Sequence, residues 1–106
     1  MLIELEVLIP RRDNQGRRFP EASWRELEQR LRHVAGGFSR EDRIVGQWAS
    51  NDTLYRDVSQ RYTVAIKSWR QFPSWLDVME WARAEFRQEA IYIRVHGRAE
   101  ILGGQQ

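Results

Sequence analysis

The groups in this sequence best suited to moving a proton are its only histidines, His33 and His96, and the carboxylates Glu4 and Glu6. A general base must lie within hydrogen-bond reach of the atom it serves. His96 follows Tyr92 and Arg94 on a strand-like segment, so it meets Glu4 or Glu6 only if one sheet face brings the two segments together. No nucleophile and no oxyanion donor accompanies them at a recognisable spacing, which leaves a strand-end surface histidine as the simpler reading. His33 stands beside Arg30 and Arg32, which repel a cation, and two histidines without a cysteine fall short of the three or four ligands that metal sites usually take. The expectation is no metal and no cofactor. The lack of cysteine also excludes disulfides and thiol catalysis.

Arginine supplies the second kind of chemistry. The chain carries 17 Lys+Arg against 15 Asp+Glu, a formal charge of +2, and every one of the 17 except Lys67 is arginine. The sequence pI near 9.5 therefore reflects the very high arginine pKa rather than a large positive field. Attraction of a polyanion would need local clustering. The densest cluster is RRDNQGRR, where Arg11, Arg12, Arg17 and Arg18 surround a single acidic residue, Asp13. Such a loop offers bidentate donors to a phosphate or carboxylate, with a solvated loop as its plainer reading. AGGFSR, Ala35 to Arg40, is a weaker phosphate candidate. Phosphate-cradling glycines open a helix, whereas Gly36 and Gly37 close one.

These groups must be positioned by elements legible in the pattern of apolar residues. In LIELEVLI, residues 2–9, Ile3, Leu5, Val7 and Ile9 share one face of a strand that ends at Pro10. Trp24, Leu27, Leu31, Val34 and Ala35 recur at helical spacing from Glu21 to Ala35, stopped by Gly36. RIVGQWA, 43–49, and RYTVAIKSW, 61–69, read as strands joined through Ser50-Asn51-Asp52, whose side chains favour turns. Ser74 and Asp77 resemble a capping box. Trp75, Val78, Met79, Ala82 and Phe86 then stripe a second helix from about 74 to 87. Ile91, Ile93 and Val95 face one side of a last strand, after which His96-Gly97 turns into a short closing strand, AEIL, and GGQQ forms a tail.

The order β-α-β-β-α-β in 106 residues predicts one domain, 1–106, of the α+β class. Its most economical form is the ferredoxin-like plait, a four-stranded antiparallel sheet with a possible short fifth strand and both helices on one face. The first and third strands are then central and the second and fourth are edges. On the helix-free face, Glu4 and Glu6 should meet Arg94 on one side and Lys67 on the other, with Tyr92, His96 and Trp69 nearby.

The residues in this order resemble a group of small bacterial ferredoxin-like domains of unknown function. The matching positions are Ile9-Pro10, Trp24, Gly46-Gln47-Trp48, and Phe86 with Gln88. The chain departs from that group in RRDNQGRR, where the group has a shorter, glycine-rich connection. The resemblance implies the fold and brings no reaction or ligand.

Function is bounded more by exclusion. RNA readout on this fold stacks bases on aromatics of the two central strands, but the first strand offers Glu4 and Glu6 there, and these repel phosphate. Nucleic acid is a disfavoured partner, reachable only weakly through the Arg11 to Arg18 loop. Carboxylates inside the apolar N-terminal run argue against a secretion signal or a membrane span, which makes the cytoplasm the default location. Leu2, Leu8, Tyr92 and Trp69 leave the open sheet face half apolar, while Trp81, with Leu76, falls off the second helix's core stripe and is a candidate partner surface. The first expectation is a non-catalytic interaction module forming a homodimer or other homo-oligomer through its open sheet face or an edge strand. The second is a small dimeric barrel enzyme or small-molecule binder, ligand unknown, with a pocket near Glu6, Tyr92, Arg94 and His96.

Overall fold

The computed structural model describes residues 2–96 and 98–104, and of residues 98–101 the backbone alone. The elements are β1 (Ile3–Pro10), α1 (Glu21–Ala35), β2 (Ser39–Ser50), β3 (Thr53–Ile66), a single 3-10 turn (Trp69–Gln71), α2 (Phe72–Glu85), β4 (Ala90–Val95) and β5 (Arg98–Gly103). The five strands form one antiparallel sheet in the order β2-β3-β1-β4-β5. This is the ferredoxin-like βαββαβ plait with a fifth strand added. β5 covers β4, so the sheet edges are β2 and β5, not β2 and β4.

Alternation places Ile3, Leu5, Val7 and Ile9 of β1 under the helices, all nearly inaccessible to solvent. They pack with Tyr62, Val64 and Ile66 of β3, Ile91 and Ile93 of β4, and the stripes Trp24-Leu27-Leu31 and Trp75-Val78-Met79-Ala82-Phe86. Glu4 and Glu6 fall on the helix-free face. α1 keeps the bounds its periodicity predicts. Its stop is Gly36, at φ 82°, whose amide donates to the Arg32 carbonyl at 2.8 Å; this left-handed position costs glycine no Cβ clash.

Two boundaries differ from the sequence pattern. The capping box is not Ser74 with Asp77. It lies earlier, where the Ser68 hydroxyl accepts from the Arg70 amide at 3.1 Å and the Gln71 side chain accepts from the Ser68 amide at 3.3 Å. The chain leaves the sheet at Ile66, so Lys67 and Trp69 are not strand residues. α2 follows directly, with Pro73 in its first turn, where a missing N–H is harmless.

The larger difference is the length of the central hairpin. β2 and β3 span 12 and 14 residues, joined by Asn51 and Asp52, both at positive φ (50° and 64°), the backbone of a type I′ turn. β1 pairs with β3 only as far as Pro10 opposite Ser59. The Arg11 amide still donates to the Val58 carbonyl at 3.0 Å; beyond it the ribbon has no third strand, and the molecule extends 42 Å along its long axis. The sequence expectation shortened both strands because SREDR and YRDVSQ carry charges on both faces and lack the alternation that marks a half-buried strand.

Candidate interaction surface

The open face of the sheet is organised around Glu6. Opposite it stand Thr63 on β3 and Arg94 on β4, and its Oε2 lies 3.8 Å from Arg94 Nη1 and 4.0 Å from Arg61 Nε. Arg61 reaches on to Glu41 of β2 at 2.9 Å. The cation from β3 is thus Arg61 rather than Lys67. β3 ends before Lys67, whose exposed side chain makes no ion pair among the described residues, while its amide donates to Gln71 Oε1 at 2.8 Å. The hydrogen bond with Tyr92 and the charge of Glu6 hold the Arg94 guanidinium above its ordinary pKa. These alternating charges make the middle of the face a polar lattice.

Of the four residues expected around a pocket, Glu6 and Arg94 meet as an ion pair and Tyr92 is the next open-face residue along β4. His96 lies just past the C-terminal end of β4, beyond Arg94 and away from Tyr92. Its amide donates to the Glu4 carbonyl at 3.1 Å, and its ring lies 6.4 Å from that of Trp69. Trp69 itself is half exposed and also packs edge-on against Phe72. Among the described residues there is no cluster of three or more metal-ligating side chains.

Trp81 and Leu76 are partly buried and pack on the core, and the Arg30 guanidinium covers the Trp81 ring at 4.3 Å. The exposed aromatics lie elsewhere, on the hairpin. Trp48 and Tyr55 face each other across β2 and β3 and remain 48% and 53% exposed; Val45 and Leu54, on the other side of the ribbon, are 47% and 66% exposed. Trp48 packs over Gly46, where an added Cβ would fall 3.2 Å from its ring. The indole also reaches across the sheet to Tyr92, with centroids 6.5 Å apart. Between the ribbon and β4 this leaves a hollow of about 250 Å³ lined by Leu8, Pro10, Trp48, Ser59 and Tyr92.

The arginine loop is an ordered turn. Asp13 Oδ1 accepts from the amides of Gln15 and Arg17, both at 2.9 Å, and Oδ2 meets Arg17 Nε at 3.3 Å and Arg87 Nη2 at 3.4 Å. Hydrogen bonds from the Arg17 and Gln15 amides and the charge of Arg17 hold the Asp13 carboxyl below its ordinary pKa, against the opposing effect of burial. Arg12 pairs with Arg18 across the turn and donates to the Gly16 carbonyl at 2.9 Å. Arg17 is thereby committed to Asp13, whereas Arg11, Arg12 and Arg18 line a cavity with Arg43 of β2 and Arg56 of β3. Sequence reading missed Arg43 and Arg56. The signal for them was the Asn-Asp turn, which, extended in both directions as a hairpin, carries them to the loop.

A third network joins helix to sheet. The buried Tyr62 hydroxyl donates to Glu28 Oε2 at 2.8 Å and accepts from Gln60 Nε2 at 3.0 Å, while Arg40 Nη1 meets the same Glu28 oxygen at 2.7 Å. Burial, then the Glu28 carboxylate, push the Tyr62 phenol well above its ordinary pKa, and Glu28 does the same for Arg40.

No family model matches the chain, and no curated protein does. Solved structures do. A phage SAM lyase in complex with S-methyl-5'-thioadenosine aligns over 97% of this chain and 90% of its own, with a TM-score of 0.65 and 13% identity. The divalent cation tolerance protein Cut A1 from Thermus thermophilus aligns over 100% and 86%, with a TM-score of 0.59 and 12% identity. CutA from Synechococcus elongatus aligns over 97% and 76%, with a TM-score of 0.56 and 12% identity. None of the helices described is long and apolar enough to cross a membrane. Likeness at these identities establishes the fold and nothing finer: the chain is a ferredoxin-like α+β domain whose architecture is shared with the SAM lyase and CutA proteins.

Proposed function

We propose that this protein is a self-associating module whose projecting β2–β3 ribbon docks on a second copy of the chain. The observation that carries this reading is the ribbon itself. A two-stranded hairpin is marginal in water without further cover, yet this one continues past its last β1 partner, and four large apolar side chains on it are each about half exposed or more. The side bearing Val45 and Leu54 is exposed and the Trp48-Tyr55 side is covered only in part by Tyr92, and β2 is an open edge that can add strands. A second copy offers the complementary surface, because Tyr92, Leu8 and the alternating Glu6, Arg94 and Arg61 make an open face that is partly apolar and carries both signs of charge. Sedimentation at tens of micromolar protein tests the reading. Species at multiples of the 12.7 kDa chain are expected, and a shift to monomer in a Trp48→Ser, Leu54→Ser double variant that keeps its circular dichroism. A wild-type monomer at that concentration rejects it.

A second reading is a small-ligand module, supported by the hollow beneath Trp48 and Tyr92 and by a structural neighbour solved with S-methyl-5'-thioadenosine. Titration with that nucleoside tests it. Quenching of Trp48 emission that is lost in Tyr92→Ala supports a ligand in the hollow, and an unchanged spectrum counts against it.

A further inference from the structure

We infer that the cavity between the 11–18 turn and the base of the β2–β3 ribbon binds a small, multiply charged, phosphate-bearing anion. The cavity encloses about 500 Å³, within the range of small-molecule sites. Five arginines enter its wall: Arg11 and Arg12 after β1, Arg18 on the returning limb of the turn, Arg43 at the β2 irregularity between Glu41 and Ile44, and Arg56 on β3. None of the five has a carboxylate within 4.0 Å among the described residues, whereas Arg17, Arg40, Arg61, Arg87 and Arg94 all do.

Three acidic residues share the wall: Asp13, Glu21 and Asp57. Asp13 is already neutralised by Arg17 and Arg87 from outside the cavity. Five cations therefore face two free carboxylates, and the local field is positive although the whole chain is nearly neutral. Like charges converging on one cavity are costly unless a counter-charge joins them. Arginine forks suit the oxygens of phosphate, and several forks at different angles suit an anion with more than one charge better than a lone carboxylate, which one fork satisfies.

α1 begins in the wall at Glu21, which brings its first turn and the Trp24 ring to the cavity. Buried Phe19, Trp24 and Gln60 form the floor, which limits the depth of solvent and strengthens ion pairing above it. The site is concave, not a stripe along a face, so it suits a compact ligand.

The inference does not rest on self-association. Its test uses the full chain with inorganic pyrophosphate, citrate, a single-stranded oligonucleotide and sodium chloride at matched ionic strength, read by calorimetry and thermal unfolding. Pyrophosphate is expected to raise the melting temperature beyond the chloride control. Arg43→Ser and Arg56→Ser, at exposed positions of β2 and β3, should each weaken binding about tenfold, the loss of one charge-assisted contact. Arg70→Ser, remote from the cavity and also without an ion pair among the described residues, should bind as the wild type does. Pyrophosphate no better than chloride, or full affinity in both ribbon variants, overturns the site. Citrate binding more tightly than pyrophosphate overturns the phosphate assignment, and tighter oligonucleotide binding overturns the small-ligand assignment.

Discussion

Trp48 and Tyr92 lie 6.5 Å apart between ring centroids although Trp48 belongs to the edge strand β2 and Tyr92 to β4, with β3 and β1 between them. Three inter-strand steps in a flat sheet would separate them by roughly 14 Å. The contact therefore requires the ribbon to coil over the open face, the direction in which long two-stranded ribbons twist most. Gly46 allows the indole to lie close against its own strand.

Gly46→Ala tests that packing. The new methyl would stand 3.2 Å from the Trp48 ring, a contact the half-exposed indole relieves by swinging outward. The expected cost in stability is small, below about 1 kcal/mol as for most surface changes. Trp48 emission should shift to the red and quench more readily with acrylamide. An unchanged spectrum would mean that the ring does not rest on Gly46.

Glu6 sits between two cations on a partly solvated face. Glu6→Gln leaves Arg61 and Arg94 facing each other with one charge fewer between them, and should cost about 0.5 to 1 kcal/mol at low salt. The loss should shrink in high salt, because the wild-type pairs are screened. Chemical denaturation in low and high salt measures both. Lys67→Gln, by contrast, should change little.

Tyr62 supplies an alkaline signature. In the unfolded chain its phenol ionises near the ordinary value of 10.0, whereas in the folded protein burial and the Glu28 carboxylate keep it protonated to higher pH. Above that value the unfolded chain binds fewer protons, so stability is full below about pH 10 and declines as pH rises further. Tyr62→Phe should lose about 1 kcal/mol at neutral pH, the worth of one hydrogen bond, and show a flatter decline between about pH 9 and pH 11. Denaturant midpoints at the two values decide it; equal alkaline slopes in both proteins reject the assignment.

Ser23 joins the helices. Its buried hydroxyl donates to Glu85 Oε2 at 2.7 Å, and because the Glu85 carboxylate is reached by solvent, Ser23→Ala should cost about 0.5 to 1 kcal/mol, the net worth of one hydrogen bond. Thermal unfolding checks this, with Ala22→Ser at the exposed neighbouring position as a control expected to be near neutral.

The elements that bury one face are written in local pattern. The alternation of Ile3, Leu5, Val7 and Ile9, the Trp24-Leu27-Leu31 stripe and the Trp75 to Phe86 stripe each admit one period, and with the chain order they select the ferredoxin-like plait. Glu4 and Glu6 on the helix-free face follow from the same alternation. The remaining features arise from contacts between distant segments. The charged ends of β2 and β3 bury neither face, so their strand character comes from pairing with each other and leaves no periodic trace. The capping residue moved from Ser74 to Ser68 because Ser68 and Gln71 satisfy each other's backbone, a reciprocal geometry that several serines could have offered. Arg43 and Arg56 lie far along the chain from Arg11, Arg12 and Arg18. Their convergence on one cavity depends on how far the ribbon projects and which way it coils, and no local spacing encodes either.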